Sequence, residues 1–425
     1  MNFKKIIFIS FIFIMLISLS SFADSSQLQT LSPACILIDS HTGKIIYEKE
    51  SKKRKYPAST TKMMTAILTI EKCNLSDTVT VNESAVSKKA VPEGYSNAKL
   101  VAGEKFTVEQ LLNVLLIPSA NDAANVLAEH ISGSVEEFSK LMNEKAKELG
   151  CLDTNFVNPS GIHNDNHYST AYDLSLIAQY GMKNEIFRNI VCKTSCKLPT
   201  TDKYTNDDRE FNTTNELLKD KKNSNYNYYY ESAIGIKTGY TEYANNCLAA
   251  GAKKDDKELI CVVLGADDTG SNQSKRAIDC INLFNYAFEN YNEKQFLSKD
   301  TIIKQIEFEV KNNKDNEKQI LDIVPETDLK VFTTTGIDSI TPNITINENL
   351  TKPILKGSIV GKIEYDIDGN HYSINLIANN DVIVSSFIKY LFDILLIILL
   401  LIIFISLIKL KHKKNYKNSF DYKKL

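Results

Sequence analysis

Two apolar segments, one near each end, constrain this chain more than anything between them. Phe387 to Ile408 is interrupted only by Lys389, Tyr390, Asp393 and Ser406. As a helix rising about 1.5 Å per residue, it covers the roughly 30 Å hydrocarbon core of a bilayer. Lys409, Lys411, Lys413 and Lys414 follow, and such a cluster is retained on the cytoplasmic side. At the other end Lys4 and Lys5 precede an apolar run from Ile6 to Leu19, and Ser21-Phe22-Ala23 puts small residues where a signal peptidase cuts. The expectation is a secretory signal over residues 1–23, a single transmembrane helix over 387–408 and a basic cytoplasmic tail over 409–425. The residues between would then lie on the extracytoplasmic face of the cell membrane. The alternatives are an uncleaved N-terminal anchor and a C-terminal segment lying in the interface, its early charges snorkelling outward.

The composition between the ends is that of a folded protein, 43% hydrophobic and 24% charged. Fifty basic and 52 acidic side chains give a net charge of -2, so no positive field exists to hold nucleic acid. The eight cysteines are scattered, and several sit in apolar runs such as Leu259 to Leu264, where a thiol is a small buried hydrophobe. Cys192 and Cys196 have no CxxC partner and no histidine cluster beside them, which argues against zinc; a disulfide between them stays open. Neither a metal nor a cofactor is expected.

Ala34 to Asp39 and Lys44 to Glu48 are β-rich runs around Ser40-His41-Thr42-Gly43, a hairpin at a sheet edge. From Ser59, the apolar residues Met63, Met64, Ile67, Leu68 and Ile70 predict a helix with one buried face. Thr107 caps a helix through Leu116, Pro118 stops it, and another runs from about Ala120 to near Gly133. Strand patterns return at Asn246 to Ala252 and Glu258 to Ala266, followed by an amphipathic helix from Lys275 to Phe288. This order predicts an α+β catalytic domain over 24–292, an antiparallel sheet sandwiched by helices with a helical subdomain. Short alternating runs over 300–380, with Asp368-Gly369 as a hairpin turn, predict a small all-β domain.

Three short motifs carry the chemistry. Ser59-Thr60-Thr61-Lys62 sets a hydroxyl and an amine three residues apart at a helix start, on one face and within reach. Lysine deprotonates a serine only if burial and a neighbouring cation lower its pKa. Ser119-Ala120-Asn121 follows Pro118 at a kink; its hydroxyl suits proton relay and its amide suits a peptide carbonyl or Lys62, unless Asn121 is simply an N-cap. Lys237-Thr238-Gly239 follows a strand-like run, where a cation, a hydroxyl and a bare backbone suit a peptide carboxylate. The backbone N–H groups of Ser59 and Tyr240 are the candidate oxyanion hole. Ser-x-x-Lys also occurs at Ser96, Ser386 and Ser406, so the first motif alone is not diagnostic.

In this order and spacing the three motifs resemble the active-site signature of penicillin-binding proteins and serine β-lactamases. Ala58-Ser59-Thr60-Thr61-Lys62-Met63, Leu115 to Ala123, Asn158-Pro159-Ser160-Gly161-Ile162 and His167-Tyr168-Ser169-Thr170-Ala171 look like the D-alanyl-D-alanine carboxypeptidase branch, peptidase family S11. The resemblance covers about residues 30 to 290, and more loosely the β region, where Lys356 to Gly361 looks like that family's carboxy-terminal β-sandwich. It implies a β-lactamase/transpeptidase-like fold acting on peptidoglycan stem peptides ending in D-Ala-D-Ala. It further implies Ser59 as nucleophile, Lys62 as base, Ser119 as relay, Asn121 as orienter and Lys237, Thr238 and Gly239 as the substrate clamp. β-Lactam antibiotics would then be covalent inhibitors that leave Ser59 slowly.

Other readings compete. A class A β-lactamase needs a deacylating Glu between the second and third motifs, but the Glu109 to Asn113 match precedes Ser119. A Ser-His-Asp hydrolase would draw on His163, His167, Asp165 and Asp173, but no Gly-x-Ser-x-Gly elbow accompanies them. An inactive, membrane-tethered wall-binding relative would keep the fold without turnover. The motifs do not separate carboxypeptidase from endopeptidase or weak transpeptidase activity, because all three begin with the same acylation.

Overall fold

Alternation of buried strands with helical periodicity resolves into two compact units, one ending at Asn290 and one beginning at Tyr291. The computed structural model describes residues 28–219, 228–311, 316–334, 340–383 and 385–421; the expected signal segment lies outside them.

The first unit is built on a five-stranded antiparallel sheet. Its strands are β1 (Ala34–Asp39), β2 (Ile45–Lys49), β3 (Ala233–Thr241), β4 (Asn245–Lys254) and β5 (Lys257–Ala266), in the order β2-β1-β5-β4-β3. The two ends of the unit's sequence therefore meet in one sheet, with Ile36 paired to Val262 and Ile38 to Ile260. β1 and the middle of β5 are buried on both faces, which is why they read as continuous apolar runs rather than alternating ones. β3 is an edge strand and continues through Lys237-Thr238-Gly239, so the third motif lies within the strand and not after it.

Between β2 and β3 the chain is mostly helical. A 3-10 turn over Ala58–Thr61 leads into α1 (Lys62–Lys72), whose Met63, Met64, Ala66, Ile67 and Leu68 are buried. Burying each larger side chain of that set contributes on the order of 1.5–3 kcal/mol. α2 (Val108–Leu116) begins with a capping box in which Thr107 and Gln110 exchange side-chain bonds with each other's backbone. α3 (Asn121–Ser132) ends at Gly133, whose φ of 78° supplies the left-handed C-cap. α4 (Val135–Glu148), α5 (Ala171–Met182) and α6 (Glu185–Val191) complete the region, and α7 (Lys275–Asn290) packs on the sheet. Ser59 thus sits in a 3-10 turn, and the α-helix begins at Lys62, about one turn later than the sequence suggests. Ala120, without a side-chain bond, is the N-cap of α3, so Asn121 is released from the capping role.

The second unit is all β before its final helix. β6 (Tyr291–Leu297) pairs with β9 (Leu329–Thr334); β7 (Lys304–Lys311), β8 (Asn316–Pro325), β10 (Asn343–Ile346), β11 (Ile359–Ile367) and β12 (Asn370–Ala378) form a sheet in the order β7-β8-β12-β11-β10. Asp368 and Gly369 both have positive φ, 50° and 75°, the requirement of the two-residue turn joining β11 to β12. Leu321, Ile323, Val331, Ile363, Ile367 and Leu376 form its core. A last helix, α8 (Ser385–Asp421), contains Leu391–Lys409, 19 residues of mean hydropathy 3.3 with none of that stretch buried against protein. It is long and apolar enough to cross a membrane.

Candidate active site

The turn that carries Ser59 is fixed by backbone packing from two directions. Ala58 has φ 47°, a conformation disfavoured for a residue with a Cβ. Gly161, at φ 83°, lies so close that a Cβ there would fall 1.8 Å from the Ala58 carbonyl oxygen. On the other side β3 passes by, and a Cβ at Gly239 would lie 3.0 Å from both the Pro57 carbonyl oxygen and the Ser59 nitrogen. Both glycines are needed because backbone approaches backbone. The loop under the turn is itself ordered: Asn158 Oδ1 accepts from the N–H of Ser160 and of Gly161, and Asn158 Nδ2 donates to the Ile162 carbonyl.

Ser59 Oγ is half-buried, and Lys62 lies fully buried behind it. Lys62 Nζ lies 2.8 Å from Ser59 Oγ and donates to Asn121 Oδ1 and to the Ser160 carbonyl, each at 2.7 Å. Burial, then the Lys237 charge, pushes the Lys62 amine well below the ordinary lysine range. Asp122, next to Asn121, is buried and accepts from the N–H groups of Ala98 and Leu100. It pins the loop that forms one wall of the cleft, where the Ser96 carbonyl also accepts from the Asn121 N–H.

Ser119 is held at φ 70°, 5% exposed, and its buried Oγ has no hydrogen-bond partner among the described residues. A strained, unpartnered hydroxyl facing a cleft is available to a ligand. That cleft, about 490 Å³, brings together Ser59, Ser119, Asn121, Thr238, Gly239 and Tyr240. Tyr240 is 60% exposed, so its ring forms the rim while its backbone stays in β3.

Lys237 is buried within β3. It is 1% exposed, donates to the Thr238 carbonyl at 3.0 Å, and is pushed down to about 7 by burial and then by Arg276. The cation that lines the cleft is Arg276, on α7, which sequence reasoning missed. Its guanidinium donates to the carbonyls of Gly239 and Cys247 and pairs with Glu216 at 2.8 Å. Thr214, also missed, bonds through its hydroxyl to the Thr238 hydroxyl.

His167 is tied to the nucleophile's turn through Thr61. His167 is buried; its Nδ1 accepts from the Val157 N–H at 3.1 Å, so Nε2 carries the proton and donates to Thr61 Oγ1 at 2.8 Å. Asp173 accepts from the Asp153 N–H and the Thr154 hydroxyl, far from any histidine hydrogen bond. Among the described residues no histidine bonds to Ser59, so no Ser-His-Asp relay forms there. All eight cysteines are free, Cys192 and Cys196 included, and no group of metal-ligating side chains occurs among the described residues.

A helix-flanked antiparallel sheet whose edge strand borders a serine–lysine pair is the architecture of serine acyl-transfer enzymes. The family model for D-alanyl-D-alanine carboxypeptidase, peptidase S11, matches residues 22–268, and that for the C-terminal domain of penicillin-binding protein 5 matches residues 291–383. The chain belongs to peptidase family S11. It is 32% identical over 379 residues to the D-alanyl-D-alanine carboxypeptidase DacF of Bacillus subtilis (strain 168), covering 86% of this chain and 90% of that one. It is 36% identical over 257 residues to a D-alanyl-D-alanine carboxypeptidase of Streptomyces sp. (strain K15), covering 58% and 84%. Among solved structures, penicillin-binding protein 5 from Haemophilus influenzae superposes with a TM-score of 0.65 at 28% identity, over 84% of this chain and 98% of that one.

Proposed function

We propose that the chain is a serine D-alanyl-D-alanine carboxypeptidase that removes the terminal D-alanine of peptidoglycan stem pentapeptides through an acyl-enzyme on Ser59. The observation that carries this reading is the hydrogen-bond set of Lys62. A neutral amine has two N–H groups and one lone pair. Asn121 Oδ1 and the Ser160 carbonyl are both acceptors, so they take the two N–H groups and leave the lone pair facing Ser59 Oγ. The depressed amine is then a base, with Lys237 as the nearby cation that favours its neutral form.

Ser59 Oγ attacks the carbonyl of the penultimate D-alanine as its proton passes to Lys62. Backbone N–H groups of Ser59 and Tyr240 receive the developing oxyanion, a contribution of roughly 10²- to 10³-fold per donor. Ser119, with no competing partner, passes a proton to the leaving amine; terminal D-alanine departs and water cleaves the ester. Asn121 orients Lys62 and the substrate amide. Thr238 and Arg276 hold the terminal carboxylate, while Lys237 supplies positive charge from beneath the strand. β-Lactams acylate the same hydroxyl. Leu391–Lys409 would tether the enzyme to the membrane with its catalytic unit outside and its lysines inside.

The test is release of D-alanine from a stem pentapeptide by the detergent-solubilised chain, compared with Ser59→Ala and Lys62→Ala. Release by the parent alone, with penicillin labelling lost in both variants, is expected. Labelling of either variant would remove that residue from the acylation step, and absence of release by the parent would point to an endopeptidase or an inactive wall-binding relative.

A further inference from the structure

Tyr243 borders two cavities. One is the cleft containing Ser59; the other, about 480 Å³, is lined by Arg54, Lys55, Tyr56, Asp165 and Tyr168 among others. Tyr243 is 67% exposed, yet its ring is not free: it stacks on His163 at 3.8 Å between centroids, and His163 meets Tyr56 edge-on at 4.7 Å. The partition between the cavities is therefore a braced aromatic wall, whose flat face suits a passing peptide plane.

Charge distinguishes the second cavity. Arg54 is already engaged, pairing with Asp153 at 2.8 Å and lying 4.5 Å over the Tyr168 ring. The cavity's own carboxylate, Asp165, sits 3.4 Å from His163 Nε2. Lys55 is half-buried, and its backbone N–H and carbonyl are both bonded to Ser169, at 2.8 and 2.9 Å. Among the described residues its ammonium makes no ion pair and no hydrogen bond. A partly buried cation with a fixed backbone and no ion-pair partner favours an incoming carboxylate.

The direction of the substrate connects the two cavities, and this step rests on the carboxypeptidase reading. Along edge strand β3 the order is Thr238 beside Arg276, then Gly239 and Tyr240 beside Ser59, then Thr241 toward Tyr243. An extended peptide with its terminal carboxylate at Thr238 and its scissile carbonyl at Ser59 must run its amino-side residues past Tyr243. We infer that the cavity beyond Tyr243 binds the amino-side portion of the donor peptide, with Lys55 pairing to a carboxylate carried there.

Three donors test this, all ending in D-Ala-D-Ala: a short acetylated tripeptide, the same peptide extended by a γ-linked glutamate with a free carboxylate, and that extension as its carboxamide. Lys55→Gln should raise KM for the carboxylate donor by about tenfold while leaving kcat and both neutral donors within about twofold, the scale of one charge-assisted hydrogen bond. Lys55→Arg should restore the preference. Penicillin labelling of each variant confirms that the catalytic unit is folded. A KM change shared equally by all three donors, or none for the carboxylate donor, overturns the inference alone. No release from even the short donor by the parent overturns the carboxypeptidase reading and this inference with it.

Discussion

His167 makes acid the natural perturbation for this active site. It is held neutral between the Val157 N–H and Thr61 Oγ1, and burial, followed by the charges of His163 and Lys62, pushes it down from 6.5 to about 3. A histidine whose folded pKa lies below its unfolded value binds fewer protons in the native state, so stability falls as pH drops below 6.5 and levels off only near pH 3. Between pH 7 and pH 5 that loss amounts to about 2 kcal/mol, from about 1.4 kcal/mol per pH unit through most of that window. In His167→Gln, an amide N–H can donate to Thr61 and an amide oxygen can accept from Val157, without a titrating group. Urea unfolding of the detergent-solubilised parent and variant at both pH values isolates the effect, because carboxylates such as Asp122 and Asp173 titrate identically in both and cancel. The variant should lose about 2 kcal/mol less than the parent on acidification. Equal losses would refute the reasoning and mean that the imidazole protonates in the folded state near its ordinary value.

Gly161→Ala places a methyl 1.8 Å from the Ala58 carbonyl oxygen at a φ of 83°; penicillin labelling of Ser59 should fall sharply, with stability down by more than about 2 kcal/mol in thermal unfolding. Glu104 and Arg209 are fully buried and paired at 3.0 Å, so Glu104→Gln strands a buried guanidinium and should cost about 3–5 kcal/mol in the same assay. With all eight thiols free, reducing agent should leave the melting temperature unchanged, and the denatured, unreduced chain should titrate eight thiols. A drop in melting temperature on reduction would contradict that.

Much of the architecture is written locally. The hairpin at Asp368-Gly369 and the helix cap at Thr107 each rest on a few adjacent residues, so pattern and turn chemistry suffice. The pairing of Ser59 with Lys62 follows from a three-residue offset, and Asn121 was chosen from its motif; the structure brings all three within hydrogen-bond distance. Arg276 was illegible for the opposite reason. On α7 it looks like one more polar residue of an amphipathic helix, and only the folded sheet places it against Glu216, 60 positions earlier. The burial of Lys237 was not legible either, because strand alternation does not say which face of an edge strand a neighbouring turn will cover.

The two glycines flanking the nucleophile's turn bear on how such an enzyme escapes a covalent drug. Gly161 and Gly239 leave no room for a Cβ against the turn that carries Ser59, so no side-chain exchange at these places can loosen the serine gradually. Selection for slower β-lactam acylation is therefore directed outward, to rim residues such as Tyr240, which is already 60% exposed.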